Sequence, residues 1–259
     1  MARLTRRPFL LSRVKIPPMK LKLLSALAVL LFMAGAVIQL AFSSSVVWAE
    51  TEASIYGTQV LAGGLDLRCP LLLSSSESGM ASAFITNPLD HPVPPLITAE
   101  VSRAGGMQSL SQTLPLAPHE TRMVRWPVDD SDVIFGRLIL VNVIQAGYGD
   151  LDPRRGFCGI LIFNLFNLTG NQSLILIFAA GVALIVMGGT FWIRIHSPLD
   201  PWSDQTVKAC GALAGVITLA SLSALPRWWG IALALDAFAL IMLSVIFTDF
   251  LLFPKSNPA

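Results

Sequence analysis

Four long apolar runs, at residues 23–42, 174–193, 207–225 and 230–253, constrain this chain more than any other feature. A helix rises 1.5 Å per residue, so a run of about twenty residues reaches about 30 Å, the depth of a bilayer's hydrocarbon core. Composition points the same way. Hydrophobic residues make up 54% of the 259, charged residues only 13%, and mean hydropathy is +0.66, outside the range of soluble domains. The net charge of +2 conceals an asymmetry. Residues 1–22 carry seven Lys or Arg and no acid, the expected flank of a membrane segment rather than a nucleic-acid surface, while residues 49–171 carry seven basic and twelve acidic residues.

The first run admits two readings. Its basic flank, apolar centre and small residues Val47 and Ala49 fit a secretory signal cleaved after Ala49, and its length fits an uncleaved anchor. Both place residue 50 across the membrane, so the chain divides into a signal or anchor segment (1–49), an extracytoplasmic domain (50–171) and a transmembrane bundle of three helices (172–259). Counting crossings puts the loop at 194–206 and the C-terminus in the cytoplasm and the hairpin at 226–229 outside. The basic residues Arg194, Lys208 and Lys255 then lie inside.

Between the first two runs the pattern changes to short alternating stretches. Strands are expected at Leu65–Leu73, Met80–Thr86, Leu96–Ser102, Gln108–Leu114, Thr121–Val128, Arg137–Gln145 and Phe157–Phe166, separated by Asn, Asp, Gly and Pro clusters. Such spacing argues for an all-β sandwich. Cys69 and Cys158 are a candidate disulfide pair there, since an oxidising compartment preserves such bonds and the third cysteine, Cys210, lies in an apolar run.

Within this region FITNPLDHPVPPLITAEVS is followed by LPLAPHETRMVRWPV. Residues 80–128 resemble the immunoglobulin-like domains of the CARDB and related type found on bacterial surface proteins. In those domains an Asn at a strand end precedes a polar turn, and a Pro-X-Glu-Thr turn leads into a closing strand. Asn87 and Pro118-His119-Glu120-Thr121 occupy these places, with His119 where Gly is more usual. The resemblance implies a binding or spacer module and little chemistry.

Candidate sites are few. Asp236 lies about two turns into the last run, where an ionised carboxylate costs on the order of 2.5–3.5 kcal/mol on insertion scales. If the third and fourth runs pack as a hairpin, Thr218 and Ser221 are at its depth and could supply hydrogen bonds. Asp249 similarly suits an ion pair with Lys208. Gly211 and Gly215 form a GxxxG pair suited to close helix packing within the bundle. Asp129, Asp130 and Asp132 lack the spacing of a calcium loop and read as a solvated acidic turn. No catalytic motif, cofactor fingerprint or metal-ligand spacing is present. The expectation is therefore a non-enzymatic protein of the plasma membrane, with the bilayer and other proteins as partners and no nucleic acid. Its alternative is a transporter or membrane-enzyme subunit working through Asp236.

Overall fold

The computed structural model describes residues 18–56, 63–196 and 201–252. The side chains of the basic flank through Lys20, and that of Asp249, lie outside the described residues.

Among the described residues four helices are long and apolar enough to cross a membrane: α1 (Pro18–Tyr56), α2 (Gly170–His196), α3 (Pro201–Ala224) and α4 (Trp229–Leu252). Between α1 and α2 the described residues form nine strands, β1 (Gly63–Gly64), β2 (Asp66–Arg68), β3 (Leu72–Leu73), β4 (Gly79–Thr86), β5 (Leu96–Arg103), β6 (Gly106–Thr113), β7 (Thr121–Val128), β8 (Leu138–Gln145) and β9 (Arg154–Ile162). They form two sheets. One has the order β1-β9-β8-β5-β6, with β3 also on β9, and the other has the order β2-β4-β7.

The stretch expected as one strand over Leu65–Leu73 divides into pieces serving both sheets. Leu67 pairs with Ala83 of β4, and Leu72 then pairs with Leu161 of β9. Pro70 cannot donate to a ladder, and Cys69 is tied by a disulfide to Cys158 of β9, so the chain switches sheets at that point. The two Cα atoms are 6.5 Å apart, within the range a disulfide requires.

The first core lies between the sheets and includes Ile85, Ile97, Trp126, Val141, Val143 and Ile160. β8 shows why a second core exists. Its residues Leu138 and Leu140 face away from the first core yet are at most 1% exposed, because α1 covers that face with Val46, Val47, Ala49 and Ala53. A strand buried on both faces reads as a continuous apolar run, as LILV does. The helix can do this because its 39 residues extend about 58 Å, roughly twice the hydrocarbon depth. Thr51–Tyr56, assigned from sequence to the β domain, continues α1 along the sheet.

α1 also packs with the other three helices. On α2, a β-carbon at Gly188 would meet the backbone atoms Phe32 N at 2.5 Å and Ala28 O at 2.7 Å, so only glycine permits this approach, while one at Gly181 would meet Gln39 Nε2 at 2.7 Å and require that side chain to move. The bundle is therefore built around the N-terminal helix and is not formed by the three C-terminal helices alone. Gly211 and Gly215 are not its seam: nothing lies within 4 Å of a β-carbon built at either, since α3 turns that face outward and packs through Leu213, Ile217 and Ala220.

Candidate functional site

Three places combine polar chemistry with definite geometry: the joint between sheet and bundle, the polar centre of the bundle, and the open side of the sandwich.

The joint centres on Arg227. α3 ends in a Schellman motif, with Trp228 N–H donating to Ser223 O (3.1 Å) and Arg227 N–H to Ala224 O (3.0 Å). Arg227 thus occupies the left-handed position, φ 62°, that glycine usually fills. Its guanidinium forms an ion pair with Glu50 of α1 and donates to Cys69 O (3.1 Å) and Pro70 O (3.0 Å). One side chain therefore joins α1, the α3–α4 turn and the segment carrying the disulfide. The Glu50 side chain is 3% exposed and that of Arg227 18%, so the pair is held away from water. Nearby, Gly159 of β9 lies so close to the Ala49 carbonyl that any β-carbon would overlap it. A second tie is Glu77, whose Oε2 accepts from the Gly170 N–H at the start of α2, 2.7 Å away.

About two turns below this joint, Asp236 Oδ2 accepts a hydrogen bond from Ser43 of α1 at 2.9 Å. Thr218 and Ser221 were expected to serve it, and neither does. Thr218 bonds the Ala214 carbonyl of its own helix (2.8 Å), and Ser221 donates to the Gln39 carbonyl (3.1 Å). The reason is that α1 lies among the helices and its serine reaches the carboxylate. Gln39 completes the group by donating to Phe178 O at 2.8 Å. Gln39, Ser43, Ser221 and Asp236 are all buried, and Asp236 Oδ1 and Gln39 Oε1 accept no hydrogen bond of normal geometry among the described residues. Sequence reasoning missed Gln39 and Ser43, although polar residues four apart in an apolar run were a readable signal. Lys208 pairs with Asp204 at 2.6 Å, one turn back on its own helix.

The open side of the sandwich runs along β6 and β7, each the last strand of its sheet. A groove of about 200 Å³ between them is lined by Leu110, Ser111, Gln112, Arg125 and Trp126. β6 carries no charged residue and no proline over its eight positions, the features that usually block strand addition at an edge. β7 contains Pro127, a residue confined to edges and bulges.

The loops at the two ends of the sandwich are braced locally. Asn87 donates to His91 O and Ala117 O, both at 2.9 Å, and its own N–H bonds Glu120 O at 2.9 Å. His119 adopts φ 56°, the left-handed conformation for which glycine is the ordinary choice. The Ala117 N–H, 2.7 Å away, and Arg122 hold the Glu120 carboxyl below its usual pKa. Asp129, Asp130 and Asp132 form a capped 3-10 turn. Asp129 accepts from Ser131 N–H and Oγ–H, which lowers its pKa, whereas burial raises that of Asp132. Asp132 is thus built into the turn and not solvated as expected. Among the described residues no group of three His, Cys, Asp or Glu is placed to hold a metal ion.

No protein-family model matches the chain, and no curated protein matches it. Among solved structures, the crystal structure of a CARDB domain from Pyrococcus furiosus aligns at 10% identity with a TM-score of 0.31, covering 39% of this chain and 93% of that domain. The β region resembles a CARDB domain. The solution structure of the same CARDB domain aligns at 10% identity and a TM-score of 0.29, covering 38% of this chain and 92% of that one. A cycloisomaltooligosaccharide glucanotransferase from Paenibacillus sp. aligns at 13% identity and a TM-score of 0.30, covering 41% of this chain and 15% of the enzyme. At these levels the likeness concerns the outline of the CARDB-like fold, and no ligand or activity passes from these proteins to the chain.

Proposed function

We propose that this protein is a membrane-anchored assembly module, holding its CARDB-like domain on the extracytoplasmic face and offering strand β6 to a partner protein. The observation that carries the reading is the pairing of a rigid mount with an open edge. A buried ion pair and an apolar core join the domain to the bundle, while β6 presents an eight-residue unpaired ladder beside a groove. Strand addition takes its affinity from main-chain hydrogen bonds and its specificity from side-chain pockets, and both elements are available there. In this reading α1 is a retained anchor. The Ala49–Glu50 bond lies inside a continuous helix, and Ala49 is 1% exposed, so cleavage there would remove one wall of the second core.

Photo-crosslinking in intact cells tests this. A photoreactive residue at Gln112 should give a discrete protein adduct that a Leu110→Lys substitution abolishes, while one at His91, at the far loops, should give none. Leu110 is 39% exposed, so this substitution should change folding stability by no more than about 0.5 kcal/mol. Adducts at both positions, or an adduct that survives the lysine, would reject the edge as the contact.

A second reading rests on the unfilled acceptors of Asp236 and Gln39 in the bundle. Buried ionisable groups in membrane helices often serve a pathway, which would make the protein a transport or enzyme-complex subunit. Asp236→Asn separates the two readings. The assembly module keeps its expression and its β6 adduct, whereas a transport subunit loses ion-dependent activity while remaining folded.

A further inference from the structure

A cleft of about 410 Å³ between α1 and the β domain lies where the helices leave the bilayer under the proposed function. It is lined by Ala41, Ser44, Ser45, Trp48, Arg137 and Leu161, with no acidic side chain among them. Ala41, Ser45 and Trp48 follow one face of α1, and Val37 (58% exposed) and Leu30 (66%) continue that stripe toward the bundle's other end. The upper end is cationic and aromatic. Arg137 stacks on Trp48 with its guanidinium carbon 5.3 Å from the ring centroid, and among the described residues no carboxylate lies within ion-pair distance of it. A guanidinium held face-on to an indole keeps its N–H edge available, the arrangement suited to a phosphate.

The turn that carries Arg137 is made at some cost. Phe135 has φ 52° and Gly136 φ 71°, closing Ile134 onto Leu138 through a hydrogen bond of 2.7 Å. Phe135, two residues before Arg137, is left 62% exposed. Phe166, with φ 48° and 85% exposure, and Phe163, 47% exposed, lie in the link from β9 to α2, and Trp228 is 60% exposed in the α3–α4 turn. Exposed aromatics at the ends of membrane-length helices suit the headgroup region of a bilayer.

We propose that this cleft binds an anionic phospholipid, its phosphate on Arg137 above Trp48 and an acyl chain descending over Ala41, Val37 and Leu30. The proposal rests on the membrane reading of the helices. Charge complementarity at Arg137 and the continuation of the cleft into an outward apolar stripe favour a lipid over a partner's helix.

The test uses the full chain purified in mild detergent, with lipid retention followed by native mass spectrometry against phosphatidylglycerol and phosphatidylcholine. The wild type should hold one phosphatidylglycerol in preference to phosphatidylcholine. Arg137→Gln should weaken retention about fivefold, the scale of one basic residue at a membrane surface. Ala41→Leu, which narrows the cleft without altering its charge, should weaken retention of both lipids and serves if Arg137→Gln fails to fold. Equal retention of the two lipids overturns the proposal. So does displacement of the lipid by millimolar inorganic phosphate, which would indicate a free-anion site, or a crosslink from Ala41 to another protein's helix. Incorporation into pure phosphatidylcholine bilayers is measured in parallel. Failure to incorporate rejects the membrane reading itself, while incorporation without anionic preference rejects the lipid site alone.

Discussion

Arg227 is the residue on which most of the mounting depends. Removing either member of a buried ion pair strands the other charge, at about 3–5 kcal/mol. Arg227→Ala or Glu50→Ala should therefore lower the thermal unfolding midpoint in detergent markedly, and Glu50→Leu with Arg227→Met should recover most of the loss. Arg227→Gly separates backbone from side chain, because it relieves the left-handed φ yet removes the guanidinium. It should still be destabilised, since the φ relief is worth only about 1 kcal/mol. Nothing in the residue types revealed this pair. Glu50 was read as the first residue of an external domain and Arg227 as a hairpin charge, and only the packing of α1 brings them together across 177 positions.

Glu120 gives a pH dependence with a definite sign. Its folded-state pKa is depressed by the Ala117 N–H and by Arg122, so its contribution is complete above the unfolded value and is lost as pH falls through the depressed one. Asp132, raised by burial, acts in the opposite sense over the carboxylate range. Glu120→Gln should make the acid limb of a plot of unfolding midpoint against pH shallower, and Asp132→Asn should make it steeper. The turn itself was legible. A glycine-type position at His119 and an Asn at the strand end were read from the sequence, and the structure shows the left-handed backbone and the hydrogen bonds that unite them.

At the scale of elements, the glycines distinguish a packed face from an exposed one. Gly188→Leu should drive α1 from α2, because a β-carbon there already meets the Phe32 amide nitrogen at 2.5 Å; a cost of about 1–3 kcal/mol or more is expected. Gly211→Leu and Gly215→Leu should change the detergent unfolding midpoint little. The GxxxG spacing is a local pattern that cannot say which side of a helix is occupied, and that is why the expectation for α3 failed. Strand positions were legible wherever one face was solvated, as in β4 and β5. They were misplaced where the chain switches sheets around Pro70, since that break depends on a disulfide partner 89 positions away.

Across the whole molecule, the apolar runs made four membrane-length helices readable from length and composition alone. The role of α1 was not readable. An apolar helix at an N-terminus has the same sequence signature whether it leaves as a signal, stands alone as an anchor or forms the centre of a bundle. Its Gly35, Gln39 and Ser43 acquire meaning only from neighbours far along the chain. The Cys69–Cys158 bond spans most of the β domain, and replacing both cysteines with serine should cost about 2–5 kcal/mol. The loss should be visible as lower thermal stability of the purified chain, and it should weaken the joint as well, because the Cys69 carbonyl accepts from Arg227.

The central claim, that the β domain is mounted on the extracytoplasmic end of the bundle, is tested most directly by cysteine accessibility in intact cells. A membrane-impermeant maleimide should label Gln112→Cys on β6 without permeabilisation, and should label Arg194→Cys, at the opposite end of α2, only after the membrane is opened. Labelling of Arg194→Cys in intact cells with protection of Gln112→Cys would contradict the account.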